Sequence, residues 1–151
     1  MTSLIKEKVS IKNITYIFEK INDFAEDGSK ADILNKVRLS LSRQICRSYA
    51  NEDGETISAF ELSEKTYADI VLGCDDSEDC LIKIDGELAE KLADKIIKKS
   101  KKLGNHSPKL IVPMEYRQIF FTLLSLYLND ITVLAHEEVG CLFKIDNLGD
   151  I

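Results

Sequence analysis

The hydrophobic period changes near Gly54, so two architectures must share one chain. Before that point apolar residues recur at three- and four-residue steps, the mark of amphipathic helices. Ser10 is placed to cap a helix in which Ile14, Ile17, Phe18, Ile21 and Phe24 share one face. Ser29, with Asp32 three residues on, reads as a capping box for a second helix. Its inward face carries Ile33, Leu34, Val37, Leu41 and Ile45. Asn51 to Glu55 is a polar, glycine-containing exit.

After Gly54 short apolar runs alternate with helical ones. Strands are expected at Thr56–Leu62, Leu81–Asp85, Lys109–Val112, Ile131–Ala135 and Cys141–Ile145. Between them a helix capped by Ser63 carries Tyr67, Ile70 and Val71. A long helix runs from about Glu87 to Leu103 and stops at Gly104, and a third spans Glu115–Leu128. Strands separated by helices require crossover connections, hence a largely parallel sheet, with room for an antiparallel edge. The expected fold is α+α/β. A leading linker (residues 1–8) precedes a small helical subdomain (9–53) and a small α/β subdomain (54–151) with a largely parallel sheet.

The chain can support this. Its 151 residues are 44% hydrophobic and 30% charged, and a chain of about 150 residues buries roughly 70% of its unfolded surface. The longest apolar run, Ile119 to Leu128, is interrupted by Thr122 and Ser125 and is about half of what a membrane helix needs. Net charge is −6, unevenly spread. Residues 52–90 hold thirteen acidic and two basic groups, whereas 91–109 hold seven lysines and one aspartate. An acidic block of that size repels a phosphate backbone, so nucleic acid is not an expected partner. The lysines fall on a helical pattern and read as a solvated face. With no export signal in the sequence, Cys46, Cys74, Cys80 and Cys141 are expected to be reduced thiols. Asp75, Asp76, Glu78 and Asp79, between two of those cysteines, fit neither a calcium loop nor a zinc knuckle. They read as an acidic surface loop, and no metal or cofactor is expected.

Chemistry is sparse. No phosphate-binding glycine loop is present. His106 precedes Pro108 in a loop, and His136 stands beside Glu137 and Glu138. A small α/β enzyme using His136 and Glu138 is an alternative reading. However, nothing specifies a nucleophile, an orienting partner or an oxyanion donor, and no catalytic residue is assigned. Two apolar residues stand out on polar faces. At 100° per residue, Leu39 falls close to Lys36, Arg43 and Arg47, opposite the apolar face of the second helix. Phe121 lies among Arg117, Gln118, Thr122 and Ser125. Both are candidates for partner contact.

Three segments occur in order: VSIKNITYIFEKINDFA (Val9 to Ala25), ILNKVRLSLSRQICRSYA (Ile33 to Ala50) and NDITVLAHEEV (Asn129 to Val139). Together they resemble the cytoplasmic C-terminal region of the type III secretion export gates, the family of the flagellar gate and its virulence injectisome counterparts. The resemblance is densest where Val37, Arg38, Leu41, Arg43, Gln44, Ile45, Arg47, Tyr49 and Ala50 stand. It departs at Pro113 and Met114, where the family often has Ser-Pro, and at Asn129, Ala135 and His136.

The resemblance implies a non-enzymatic piece of a longer inner-membrane protein, facing the cytoplasm. It would comprise the last two of four cytoplasmic subdomains that assemble as a nonameric ring. It also implies as partners secretion chaperones with their substrates, gatekeepers and other export proteins. The injectisome branch is favoured over the flagellar one, and a freestanding cytosolic adaptor is the alternative. Lys36, Leu39, Arg43 and Arg47 become the ring-contact candidates. Arg117, Phe121, Asp75, Asp76, Glu78 and Asp79 become the partner-binding candidates. If the absent subdomains supply half of each ring interface, this piece alone is expected to be monomeric.

Overall fold

The computed structural model describes all residues except 27, 73–85, 105–106 and 141. The expected strand Leu81–Asp85, the acidic tract Asp75–Asp79, His106, and Cys74, Cys80 and Cys141 therefore lie outside the described residues. Two compact units are present. One comprises Met1–Ile57 with Glu137–Lys144, and the other Ser58–His136 with Ile145–Ile151.

The first unit is helical: α1 (Thr2–Lys6), α2 (Ile14–Asp23), α3 (Lys30–Ser40) and α4 (Ser42–Tyr49). Its interior is built from Leu4, Val9, Ile17, Leu34, Val37, Leu41, Ile45, Cys46 and Val139, all buried. Within residues 1–8, expected as a linker, Thr2–Lys6 form α1 and place Leu4 at 1% exposure. The cap of α2 is Asn13 rather than Ser10. Its Oδ1 accepts the Tyr16 N–H at 3.3 Å, while the Ser10 carbonyl accepts from Gln44 Nε2 at 2.9 Å. The capping box at α3 forms as expected. Ser29 Oγ accepts the Asp32 N–H at 3.3 Å, and the Asp32 carboxylate accepts the Ser29 N–H at 2.9 Å.

The single helix expected after Ser29, with its inward face from Ile33 to Ile45, is instead two, α3 and α4, broken at Leu41 (φ −100°, ψ 3°). Ser40 Oγ turns back onto the Lys36 carbonyl at 3.1 Å. The Leu41 N–H is shared between the Val37 and Arg38 carbonyls, the tightened geometry of a helix end. The break places a second serine, Ser42, at the start of α4.

The second unit is α/β, with a four-stranded sheet in the order β3-β2-β1-β4. Its elements are β1 (Thr56–Glu61), α5 (Glu64–Leu72), α6 (Gly86–Lys102), β2 (Lys109–Val112), α7 (Met114–Leu124), β3 (Thr132–Ala135), α8 (His136–Val139) and β4 (Lys144–Asp150). The β1 and β4 strands and α8 each have residues in both units. β1 pairs with β2 and β2 with β3, all parallel, with Phe60 opposite Leu110 and Ile111 opposite Leu134.

The expected last strand, Cys141–Ile145, lies later in the chain, at Lys144–Asp150. Asp146, Asn147 and Gly149 make that stretch read as a turn. It is a strand because the sheet edge supplies its hydrogen bonds. The Ile151 N–H donates to the Glu61 carbonyl at 2.8 Å, and the Ser63 N–H to the Ile151 carbonyl at 3.0 Å. That alternation is the parallel pattern, so β4 joins β1 as a parallel edge strand. Phe60, Leu92, Ala93, Ile96, Leu110, Val112, Phe120, Leu124, Ile131, Val133 and Ile151 close the core of this unit.

The Ser29→Ala variant loses the α3 cap and is expected to be less stable by about 1 kcal/mol, read as a lower urea midpoint. An unchanged midpoint would show that packing alone holds the start of α3.

Candidate functional site

At the centre of the helical unit sits an arginine. Arg38, 2% exposed, donates from Nε to Glu138 Oε1 at 2.5 Å and from Nη2 to Glu138 Oε2 at 3.1 Å. Its Nη1 donates to Glu7 Oε2 at 2.6 Å. The guanidinium fork matches a carboxylate with two parallel bonds, which lysine cannot do. Burial alone would lower the Arg38 pKa, but the charge and hydrogen bonds of Glu138, and then the charge of Glu7, outweigh it and raise it above its usual value. The cluster ties α1's flank, α3 and the segment after β3 together. An exposed pair contributes only about 0–1 kcal/mol, whereas removing one partner of a buried pair costs about 3–5 kcal/mol.

The arrangement also bears on the pairing of His136 with Glu138. Both Glu138 oxygens are engaged by Arg38, so that carboxylate does not serve His136 as a catalytic partner. His136 Nε2 lies instead 4.0 Å from Glu61 Oε1, and the other Glu61 oxygen accepts from Asn147 Nδ2 at 2.6 Å. Beside the cluster, the buried Cys46 Sγ donates to the Glu138 carbonyl at 3.4 Å. Burial pushes its thiol up to about 12, with the Glu138 charge adding and Arg38 opposing. A thiol held in that form is a poor nucleophile. Among the described residues no group of three or more His, Cys, Asp or Glu is placed to hold a metal ion.

The surface candidates separate. On α4, Arg43 and Arg47 are exposed and line one groove of about 440 Å3 with Asn13, Tyr16, Ser40, Leu41 and Gln44. Leu39 is 40% exposed on α3, and Lys36 is half-buried with Nζ 5.8 Å from the Phe24 ring centroid. Neither of them lines that groove. The break at Leu41 is the reason: an azimuth summed along one continuous helix does not carry across it.

Arg117, expected on a partner surface, is fully buried. It lies three residues from both Met114 and Phe120 and seven from Leu124, all buried, and so shares the inward stripe of α7. Phe121, expected beside it on a polar face, is half-buried and packs against the core of the α/β unit.

The converse error lies on α2. Of the five residues expected inward, only Ile17 is fully buried, while Ile14 (44%) and Phe18 (54%) are exposed, as is Ile11 ahead of the helix. Four large apolar residues on the ten positions of α2, with Phe24 at its C-cap, exceed what one packing face in a unit this small covers. That excess was the signal in the sequence.

With fold and site described, the relatives of the chain can be placed. Residues 1–142 match the FHIPEP family model, and the chain belongs to that family, the type III secretion export gates. It is 25% identical over 153 residues to the flagellar biosynthesis protein FlhA of Bacillus subtilis (strain 168), covering 99% of this chain and 22% of that protein. It is 27% identical over 160 residues to FlhA of Treponema pallidum (strain Nichols), with the same two coverages. The chain thus spans about a fifth of the length of these curated relatives. Among solved structures, the Shigella flexneri MxiA protein superposes with a TM-score of 0.83 at 24% identity over 99% of this chain and 48% of its own. Nonameric EPEC SctV-C superposes at 0.83 and 18% identity, over 99% of this chain and 45% of its own. These two likenesses establish the fold. No helix among the described residues is long and apolar enough to cross a membrane.

The Glu138→Ala variant strands the buried guanidinium and is expected to cost about 3–5 kcal/mol in urea unfolding. Glu7→Ala, which leaves the bidentate pair, costs less. A Glu138→Ala loss near 1 kcal/mol would show that Arg38 is hydrated in solution. The folded Cys46 thiol keeps its proton to about pH 12, whereas an unfolded one ionises near its ordinary value of 9.0. Above that value the native state binds more protons than the unfolded state, so stability falls as pH rises from about 9 towards 12. The Cys46→Ala variant is expected to flatten this alkaline slope; a slope identical to wild type would assign it to other groups.

Proposed function

We propose that this chain is part of the cytoplasmic face of a type III export gate, in the injectisome branch to which the resemblance points. In the assembled gate it forms one sector of a nonameric ring that receives chaperone-bound substrates for export. The observation that carries the reading is the fold shared with nonameric EPEC SctV-C over 99% of this chain. Membership of the FHIPEP family supports it. A structure of the Chlamydia pneumoniae CdsV and CdsO complex, whose fold the chain matches at a TM-score of 0.78, supports a docking role towards another protein.

In this reading the helical unit makes the ring contacts, with Arg43 and Arg47 among its exposed charged residues and Leu39 and Lys36 on the neighbouring helix. The α/β unit meets chaperones, substrates and gatekeepers. The acidic tract Asp75, Asp76, Glu78 and Asp79 and the half-buried Phe121 remain its partner-binding candidates, whereas Arg117 is fully buried. The role is non-enzymatic. The parent protein is anchored in the bacterial inner membrane, and this region faces the cytoplasm.

An antibody against this chain, used to blot fractionated native cells, tests the reading. The expected result is a band several times heavier than 17.1 kDa in the membrane fraction. A soluble band near 17 kDa would replace the gate with a freestanding cytosolic adaptor.

A further inference from the structure

The lysines of α6, expected from the sequence as a solvated face, are arranged more narrowly than solvation requires. At 100° per residue Lys91, Lys95, Lys98 and Lys102 fall within about 60° of one another and run about 16 Å along the helix. All four are exposed. Lysines near a helix C-terminus complement its dipole, which accounts for Lys99, Lys101 and Lys102. Lys91 and Lys95 lie in the second and third turns, where the dipole gives no such stabilisation. A face that is only solvated alternates sign along its length. Here Glu87 Oε1 holds Lys91 Nζ at 2.8 Å, and no ion pair engages Lys95, Lys98 or Lys102 among the described residues. Like charges three and four positions apart repel one another, and a row of carboxylates laid opposite relieves that repulsion.

Three of these lysines, Lys91, Lys95 and Lys98, line a groove of about 290 Å3 between α5 and α6, with an apolar base of Leu88 and the buried Leu92. Asp94 and, from α5, Asp69 line it as well. Both carboxylates count against a broad anionic surface, such as a lipid headgroup layer or a nucleic-acid backbone, which would meet them together with the lysines. The net charge of −6 adds to that repulsion. A narrow file of carboxylates aligns on the lysines alone. The lysines step by four, three and four residues, the spacing of one face of an α-helix. A second helix lying along α6 with acidic residues at the same steps matches the file charge for charge, and an apolar residue beside them reaches the leucine base. The steps read the same in both directions, so a parallel and an antiparallel helix fit alike. Charge pairs of this kind set partner choice and register more than raw affinity.

We propose that the α5–α6 groove binds an acidic amphipathic helix of another protein, with Glu or Asp at i, i+4, i+7 and i+11 opposite Lys91, Lys95, Lys98 and Lys102. The inference rests on the docking role given above to the α/β unit and adds the chemistry of one partner. It makes no use of Arg43, Arg47 or the ring contacts.

The test is the fluorescence anisotropy of a labelled helical peptide titrated with the whole chain. One peptide carries glutamates at i, i+4, i+7 and i+11 with a leucine beside the row. A second has the same composition with its glutamates spread around the helix. The first is expected to bind at least about tenfold tighter, and to weaken as salt rises. Lys95→Glu with Lys98→Glu removes the difference between the two peptides. Lys6→Glu with Lys12→Glu, at exposed positions of the helical unit, changes the net charge equally and preserves the difference. Lys95→Gln with Lys98→Gln, which neutralises the pair without reversing it, falls between.

Equal binding of the two peptides, or an equal loss in the Lys6 and Lys12 variant, would reduce the effect to net charge and overturn the proposal. Sedimentation of the chain with phosphatidylglycerol vesicles through Lys95 and Lys98, without preference between the peptides, would give the stripe to a membrane surface instead. Self-association in light scattering that Lys95→Glu with Lys98→Glu abolishes would give it to a second copy. None of these results moves the band in the blot of fractionated cells, so this inference and the gate reading fail separately.

Discussion

The helical unit depends on one buried arginine. Arg38 stands among Leu34, Val37 and Leu41, and only the carboxylates of Glu138 and Glu7 make its burial tolerable. An ionised group taken out of water without partners carries a penalty of several kcal/mol. The fork geometry of the guanidinium accepts few substitutes for a carboxylate in the right plane. The segment after β3 is therefore fixed against α3 by charge and direction. The Cys46 thiol, bonded to the backbone carbonyl of the same Glu138, is buried as a consequence.

This constraint bears on function by fixing which groups remain outside. With Arg38 and Glu138 consumed by the interior, and Arg117 turned into the α/β core, the cationic groups left on the helical surface include Arg43 and Arg47. Both sit beside a tyrosine in a groove. The apolar side chains left exposed on this unit are Ile5, Ile11, Ile14, Phe18, Leu39 and Leu142 among the described residues. Phe18, at 54% exposure on α2, is a candidate for partner contact. The only described histidine, His136, lies near Glu61, whose other carboxylate oxygen accepts from Asn147.

Much of the fold was legible in residue order. The helical period before Gly54, the capping box at Ser29 and Asp32, the glycine stop after α6 and the apolar runs at β2 and β3 all lie where local chemistry places them. Each is decided within a turn or two of chain. The errors share a different cause. The α3–α4 break turns on two serines and a shared N–H, which a continuous 100° wheel ignores. The β4 strand is made of residues that favour turns and exists because a sheet edge was waiting. Arg117 reads as a surface residue until its neighbours on α7 show that the inward stripe passes through it.

By itself, then, the sequence determined the two architectures, their order, most helix ends and the family to which the chain belongs, because these follow from short-range periodicity, capping and ordered motifs. The tertiary structure decided which charges are structural and which are presented. Arg38 and Arg43 are the same residue type, five positions apart, with opposite fates. What separates them is a glutamate 100 residues further along the chain. Pairings at that distance are set by how elements pack and by the penalty of burying an unpaired charge, which no local pattern records.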